Sequence, residues 1–146
     1  MHRGASERIL DLLERDASLT NREIGEKLSL PTTTVHNIIR RLEKDGTIRK
    51  YSILIDKEKL GYPIQAVILI NTTFAGSKLP AHAEIAAKIK KIGKVDCIHS
   101  ITGEFDLLVR VAVRSTRELG EFVTKVRKID GVVKTVTSVV LEELSI

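Results

Sequence analysis

A chain of 146 residues with 42% apolar content can bury one core or two small ones, and its formal charge of +5 suits a polyanionic partner without requiring one. Cys97 is the only cysteine, which excludes an intrachain disulfide and a zinc site built on several thiolates, and points to a reducing, cytoplasmic setting. The polar start from Met1 to Ser6 has no leader-like apolar core and no run reaches the roughly 18 apolar residues of a membrane span, so no membrane association is expected. Three Phe, two Tyr and no Trp leave too few aromatics for a platform that stacks single-stranded bases.

The first elements read as helices. Between Ser6 and Arg15, Ile9, Leu12 and Leu13 recur at i, i+3, i+4 with Glu7, Arg8, Asp11 and Glu14 opposite, the pattern of an amphipathic helix. Thr20 and Glu23 make a T-x-x-E capping box, so a second helix is expected from Thr20, burying Ile24 and Leu28. The third is expected over Thr32 to Asp45, with Val35, Ile38, Ile39 and Leu42 on one stripe and Gly46 as its stop. Three short helices, the last two joined around Ser29 to Pro31, are the pattern of a helix-turn-helix.

The period then changes. Ile48 to Asp56 is rich in β-branched residues and is expected to be a connecting strand, and Lys57 to Pro63 is turn-like. Beyond it come a strand (Ile64 to Phe74), a helix (Ala81 to Ile92), two strands (Val95 to Thr102 and Phe105 to Val113) joined by a tight Gly103-Glu104 turn, a helix (Arg117 to Ile129) and a last strand (Val132 to Leu141). The expected class is therefore α+β: a helix-turn-helix, winged-helix-like domain over 1–47, a strand or linker over 48–63, and a βαββαβ ferredoxin-like domain over 64–146. Two helices cover one sheet face only. The other face should meet a second subunit, which predicts at least a homodimer.

Candidate functional residues lie opposite the core stripe of the third helix. Thr32, Thr33, Thr34, His36, Asn37, Arg40 and Arg41 carry hydroxyl, imidazole, amide and guanidinium groups that read base edges or hold phosphates, and the start of such a helix enters the major groove. Between Pro31 and Lys50 stand five basic residues against two acidic ones, a local excess of three charges. Arg22 and Lys50 are expected phosphate contacts. The blander alternative is that the threonines only cap, His36 is merely solvated and the arginines form surface pairs, which contribute only about 0–1 kcal/mol.

Several segments, taken together, resemble the Lrp/AsnC family of bacterial and archaeal regulators: R-I-L-D-L-L-E-R-D-A, T-N-R-E-I-G-E-K-L, T-V-H-N-I-I-R-R-L-E-K-D-G-T-I and L-G-Y, then I-T-G-E-F-D-L-L-V and I-D-G-V-V-K-T-V-T. The resemblance implies a sequence-specific transcriptional regulator that binds double-stranded DNA, senses a small molecule such as an amino acid, and assembles from homodimers into higher oligomers such as octamers. It places the effector near Gly103, Glu104 and Asp106, with Ser100 and Thr102 adding hydroxyls. Backbone N–H groups freed by a glycine turn suit a carboxylate and an acidic side chain suits an ammonium group, although a plain hairpin explains the same residues. Pro31 departs from the family's usual serine N-cap, so this helix start must be capped by Thr32 or by Pro31 at the first helical position; Met1-His2-Arg3-Gly4 lacks the usual acidic lead-in. No catalytic set, metal-ligand spacing or cofactor motif is present, so neither an enzyme nor a metalloprotein is expected, and a protein-docking module without DNA leaves the polar, basic helix face without a reason.

Overall fold

The computed structural model describes residues 4–73 and 82–142. The chain divides into two compact units, residues 1–55 and 56–146.

The first unit holds α1 (Ala5–Arg15), α2 (Asn21–Leu28) and α3 (Thr32–Lys44). Their apolar stripes meet in one cluster, where Ile9, Ile24 and Val35 are fully buried and Ile39 nearly so, ringed by Leu12, Leu13, Leu28, Ile38 and Ile48. Full burial of each such side chain is worth about 1.5–3 kcal/mol, so this contact orders three helices that would be too short to persist alone. Thr20 caps α2 as expected: its hydroxyl accepts from the Glu23 N–H at 3.3 Å and the Glu23 carboxylate accepts from the Thr20 N–H at 2.7 Å. The bonds that the carboxylate accepts from the Thr20 N–H and from the Thr20 hydroxyl hold the Glu23 carboxyl below its usual range.

The connection from α2 to α3 is tight. Ser29 takes a left-handed conformation at φ 54°, and the Ser29 and Leu30 N–H groups both donate to the Gly25 carbonyl. Neither expected cap of α3 occurs. Pro31 lies outside the first turn as the N-cap, its carbonyl accepting from Thr34 and Val35, and no side chain caps the helix. After α3, Gly46 turns at φ 79° and the Ile48 N–H returns to the Leu42 carbonyl at 2.9 Å.

The strand expected over Ile48 to Asp56 is not formed: residues 49–56 have no regular structure. Its apolar residues find no pairing strand among the described residues, and Ile53 and Leu54 are 78% and 104% exposed. β-branched composition favours a pleated surface only where a neighbouring strand supplies one.

The second unit is β1 (Ile64–Thr72), α4 (His82–Ile92), β2 (Val95–Ser100), β3 (Leu107–Val113), α5 (Thr116–Arg127) and β4 (Val132–Val139), the expected βαββαβ order. All its strand pairs are antiparallel, in the order β2-β3-β1-β4. Alternation sends Ala66, Ile68, Ile70, Leu107, Val109 and Val111 to one face, where Ile85 and Ile89 of α4 and Leu119, Phe122, Val123 and Val126 of α5 cover them. Phe74 and Ala81, expected at the ends of β1 and α4, lie outside the described residues. The uncovered face is less uniform than expected. Val67, Leu69 and Leu108 are only half-buried there, but Arg110 donates to Gln65 at 3.1 Å among them.

The expected two-residue turn between β2 and β3 is instead a six-residue connection, 101–106. The Ile101 N–H donates to the Asp106 carbonyl at 2.9 Å, and the Asp106 N–H donates to Ile70 of β1 at 3.0 Å. Asp106 therefore belongs to β1 as much as to the hairpin.

Gly25 tests how closely α2 must meet the turn. A Cβ at this position falls 2.7 Å from the Leu30 carbonyl oxygen, so Gly25→Ala should cost about 1–3 kcal/mol, read as a lowered Tm of the full chain. An unchanged Tm would show that the turn is looser than described.

Candidate functional site

The buried stripe of α3 determines what its other side presents. At about 100° per residue, Thr33, Asn37, Arg40 and Lys44 stand opposite Val35, Ile39 and Leu42 and form one outward row, all exposed. His36 and Arg41 flank this row. Thr32 is exposed and Thr34 half-buried, and neither caps the helix. Lys44 completes the row, although its position beside the helix stop makes it read as part of the terminus.

The partners of these groups divide them into two sets. Asn37, Arg40 and Lys44 make no hydrogen bond or ion pair among the described residues, and stay available to a ligand. His36, Arg41 and Arg22 are engaged: the Asn21 amide lies 3.3 Å from His36 Nδ1, Arg41 donates to the Ser6 hydroxyl at 2.8 Å, and Arg22 pairs with Glu26 at 2.9 Å on the exposed side of α2. These are surface contacts that a phosphate can replace at little cost.

Lys50 lies in the exposed segment after α3, and two anchors hold that segment. Ile48 packs into the helical core, and the Tyr51 hydroxyl donates to Glu43 of α3 at 2.9 Å. Arg49 and Lys50 are thus kept beside α3 without a strand. Glu43, which directly precedes Lys44 of the outward row, is occupied by the same bond. Tyr51 and Glu43 escape a sequence reading because their contact depends on the path of the intervening residues.

In the second unit Asp106 organises the expected effector residues. Its Oδ2 accepts from the Thr72 N–H at 2.6 Å and the Thr72 hydroxyl at 3.0 Å. These bonds, the backbone one foremost, and the nearby His82 hold its carboxyl below the usual range, so it is ionised at neutral pH. Ser100 Oγ lies 2.8 Å from His82 Nδ1 at the start of α4. The Asn71 amide donates to the Glu104 carbonyl, and its Oδ1 is buried with no partner among the described residues. Glu104 reaches Lys134 at 3.5 Å, and Lys134 also stands over the Phe105 ring. Thr102 and Gly103 lie exposed at the bend, Gly103 at φ 125° with open space where a side chain would be. Ser100 and Asp106 thus share His82 as a neighbour, while Thr102 and Gly103 make the outer rim. Asn71 and Thr72 join them through their place on β1 beside Asp106, and His82 through the start of α4, which no local motif announces.

Comparison with known proteins agrees with both halves. A winged helix-turn-helix DNA-binding model matches residues 5–49, and the Lrp/AsnC ligand binding domain model matches residues 65–146. A helix-turn-helix followed by such a ligand-binding unit defines a DNA-binding transcriptional regulator rather than an enzyme. An HTH-type transcriptional regulator of Pyrococcus furiosus is 38% identical over 135 residues, covering 92% of this chain and 88% of its own. FL11 of the same organism, also an HTH-type transcriptional regulator, is 33% identical over 92% of this chain and 86% of its own. The chain belongs to the Lrp/AsnC family. A transcriptional regulator of Neisseria meningitidis, solved as its L-methionine complex, superposes with a TM-score of 0.87 at 26% identity, over 99% of this chain and 93% of that one.

Proposed function

We propose that the protein is a sequence-specific regulator that inserts α3 into the major groove of double-stranded DNA, and whose assembly or DNA affinity responds to an amino acid. One observation carries the first half: the outward row of Thr33, Asn37, Arg40 and Lys44 is held rigidly by a buried stripe, while its three longest members have no partner among the described residues. Asn37 and Thr33, nearer the helix start, read base edges. Arg40 reads a guanine or, with Lys44, holds phosphates. Thr32, Thr34 and His36 line the entry to the groove, and Arg22, Arg41 and Lys50 exchange their surface contacts for phosphates. The protein works in the cytoplasm as a homodimer joined through the uncovered sheet faces, on a pseudo-palindromic site with half-site centres about 34–36 Å apart or a multiple of that. Dimers associate into larger assemblies such as octamers. No helix among the described residues is long and apolar enough to cross a membrane.

The effector reading rests on an ionised carboxylate beside a glycine bend, in a chain similar to a regulator solved with L-methionine. The Asp106 carboxylate receives the ammonium group, and backbone N–H groups around Gly103, with Ser100, Thr102 and Glu104 adjoining, receive the carboxylate end. The effector regulates only by binding one assembly more tightly than another, because equal affinity shifts nothing.

In gel-shift titrations, Asn37→Ala or Arg40→Ala should weaken binding to the selected site by about 1–3 kcal/mol relative to an unrelated duplex. Unchanged affinity and footprint in both variants would remove α3 as the reading element. For the effector, Asp106→Asn keeps an acceptor for Thr72 while removing the charge, so it should cost no more than about 1–2 kcal/mol of stability and abolish the change in sedimentation caused by a mixture of the twenty amino acids. A response that survives in this variant, or is absent from the parent protein, contradicts the assignment.

A further inference from the structure

A second group of cations gathers at one end of the sheet, outside the helix-turn-helix unit. Tyr62 precedes β1, Lys94 precedes β2 and Arg114 follows β3. The pairings Ile64–Val113 and Val95–Val111 bring these three positions to the same end. The Lys94 ammonium and the Arg114 guanidinium both lie over the Tyr62 ring, 5.5 and 5.3 Å from its centre. Lys90 and Lys91 occupy the last turn of α4, which runs directly into Lys94, and Arg117 lies in the first turn of α5, just after Arg114.

The acids at this end do not balance them. Asp96 is paired with Lys57, and Glu118 accepts from the Arg114 backbone N–H at 2.7 Å. Among the described residues Lys90, Lys91, Lys94 and Arg117 make no ion pair. Like charges converge here, two of them over the Tyr62 ring and, of the five, Arg114 alone with an acid, Glu118, acting on it, an arrangement that gains most from a polyanion.

We propose that this end of the sheet is a second contact surface for the DNA backbone, holding phosphates that flank the site read by α3. The proposal rests on the DNA-binding reading above and extends the contact beyond the helix-turn-helix. Lysine-rich surfaces are depleted at protein interfaces but favoured at phosphates, which selects nucleic acid over an acidic protein. Tyr62 also follows Ile55, the last residue of the first unit, by only seven residues. Fully extended, that tether spans at most about 25 Å.

The test combines Lys90→Ala, Lys91→Ala, Lys94→Ala and Arg117→Ala in the full chain, leaving Arg114 and Tyr62 in place. Binding is measured against salt on a short duplex carrying only the recognition site and on the same site extended by about two helical turns on each side. On the extended duplex the log–log salt slope should become shallower by about 0.9 for each lost contact, up to roughly 3.6 for all four, with no change on the short duplex. Replacing the three lysines by arginine, with Arg117 retained, should preserve the parent slope. An unchanged slope on the extended duplex overturns the proposal, and so does an equal loss on both duplexes. Asn37→Ala and Arg40→Ala separate the two readings: if both leave the short duplex bound as before, the recognition-helix assignment fails, while the salt slopes still decide this one.

Discussion

Everything the first unit presents to a partner depends on the packing of Val35 and Ile39 of α3 against Ile9 and Ile24. A helix has two sides, and burying one determines the other. Because close-packed side chains resist rotation of the helix, the outward row keeps a fixed direction and spacing. That rigidity is what base reading requires, since a hydrogen bond to a base edge tolerates little misplacement. The close meeting of Gly25 with the Leu30 carbonyl and the left-handed Ser29 then set the angle at which α3 leaves α2.

The second unit follows a different logic. Its two helices bury one sheet face, and alternation along the strands makes the other face available by necessity. That face is not a plain apolar slab: Arg110 and Gln65 are hydrogen-bonded among half-buried Val67, Leu69 and Leu108. Paired polar groups within an apolar surface favour one register of association over others. At one end of this sheet Asp106 ties the β2–β3 connection to β1, and at the other Tyr62 collects cations. The Asp106 carboxylate and the cation cluster thus stand at opposite ends of the strands.

Features governed by local physics were legible in the amino-acid sequence. The stripe of α3, the Thr20–Glu23 capping box and the stop at Gly46 each depend on residues within a few positions of one another, and each has its expected form. Features governed by distant partners were not. The segment after Ile48 has strand-like composition, but a strand also needs a neighbour, and Ile53 and Leu54 remain exposed. The β2–β3 connection is wider than Gly103-Glu104 suggests because Asp106 spends its hydrogen bonds on Ile70 and Thr72. The same distinction runs through the candidate residues: Asn37 and Arg40 follow from helical periodicity, whereas Tyr51, Asn71 and His82 are brought in by long-range folding.

The claim at the centre is that the exposed row of α3 occupies the major groove. Dimethyl sulfate protection measures this directly, because it reports guanine N7, an atom exposed only in that groove. Bound protein should shield guanine N7 atoms in two clusters on one face of the duplex, and the Arg40→Ala protein, at concentrations that restore binding, should release a defined subset of them. Full occupancy with every guanine N7 still methylated would contradict it.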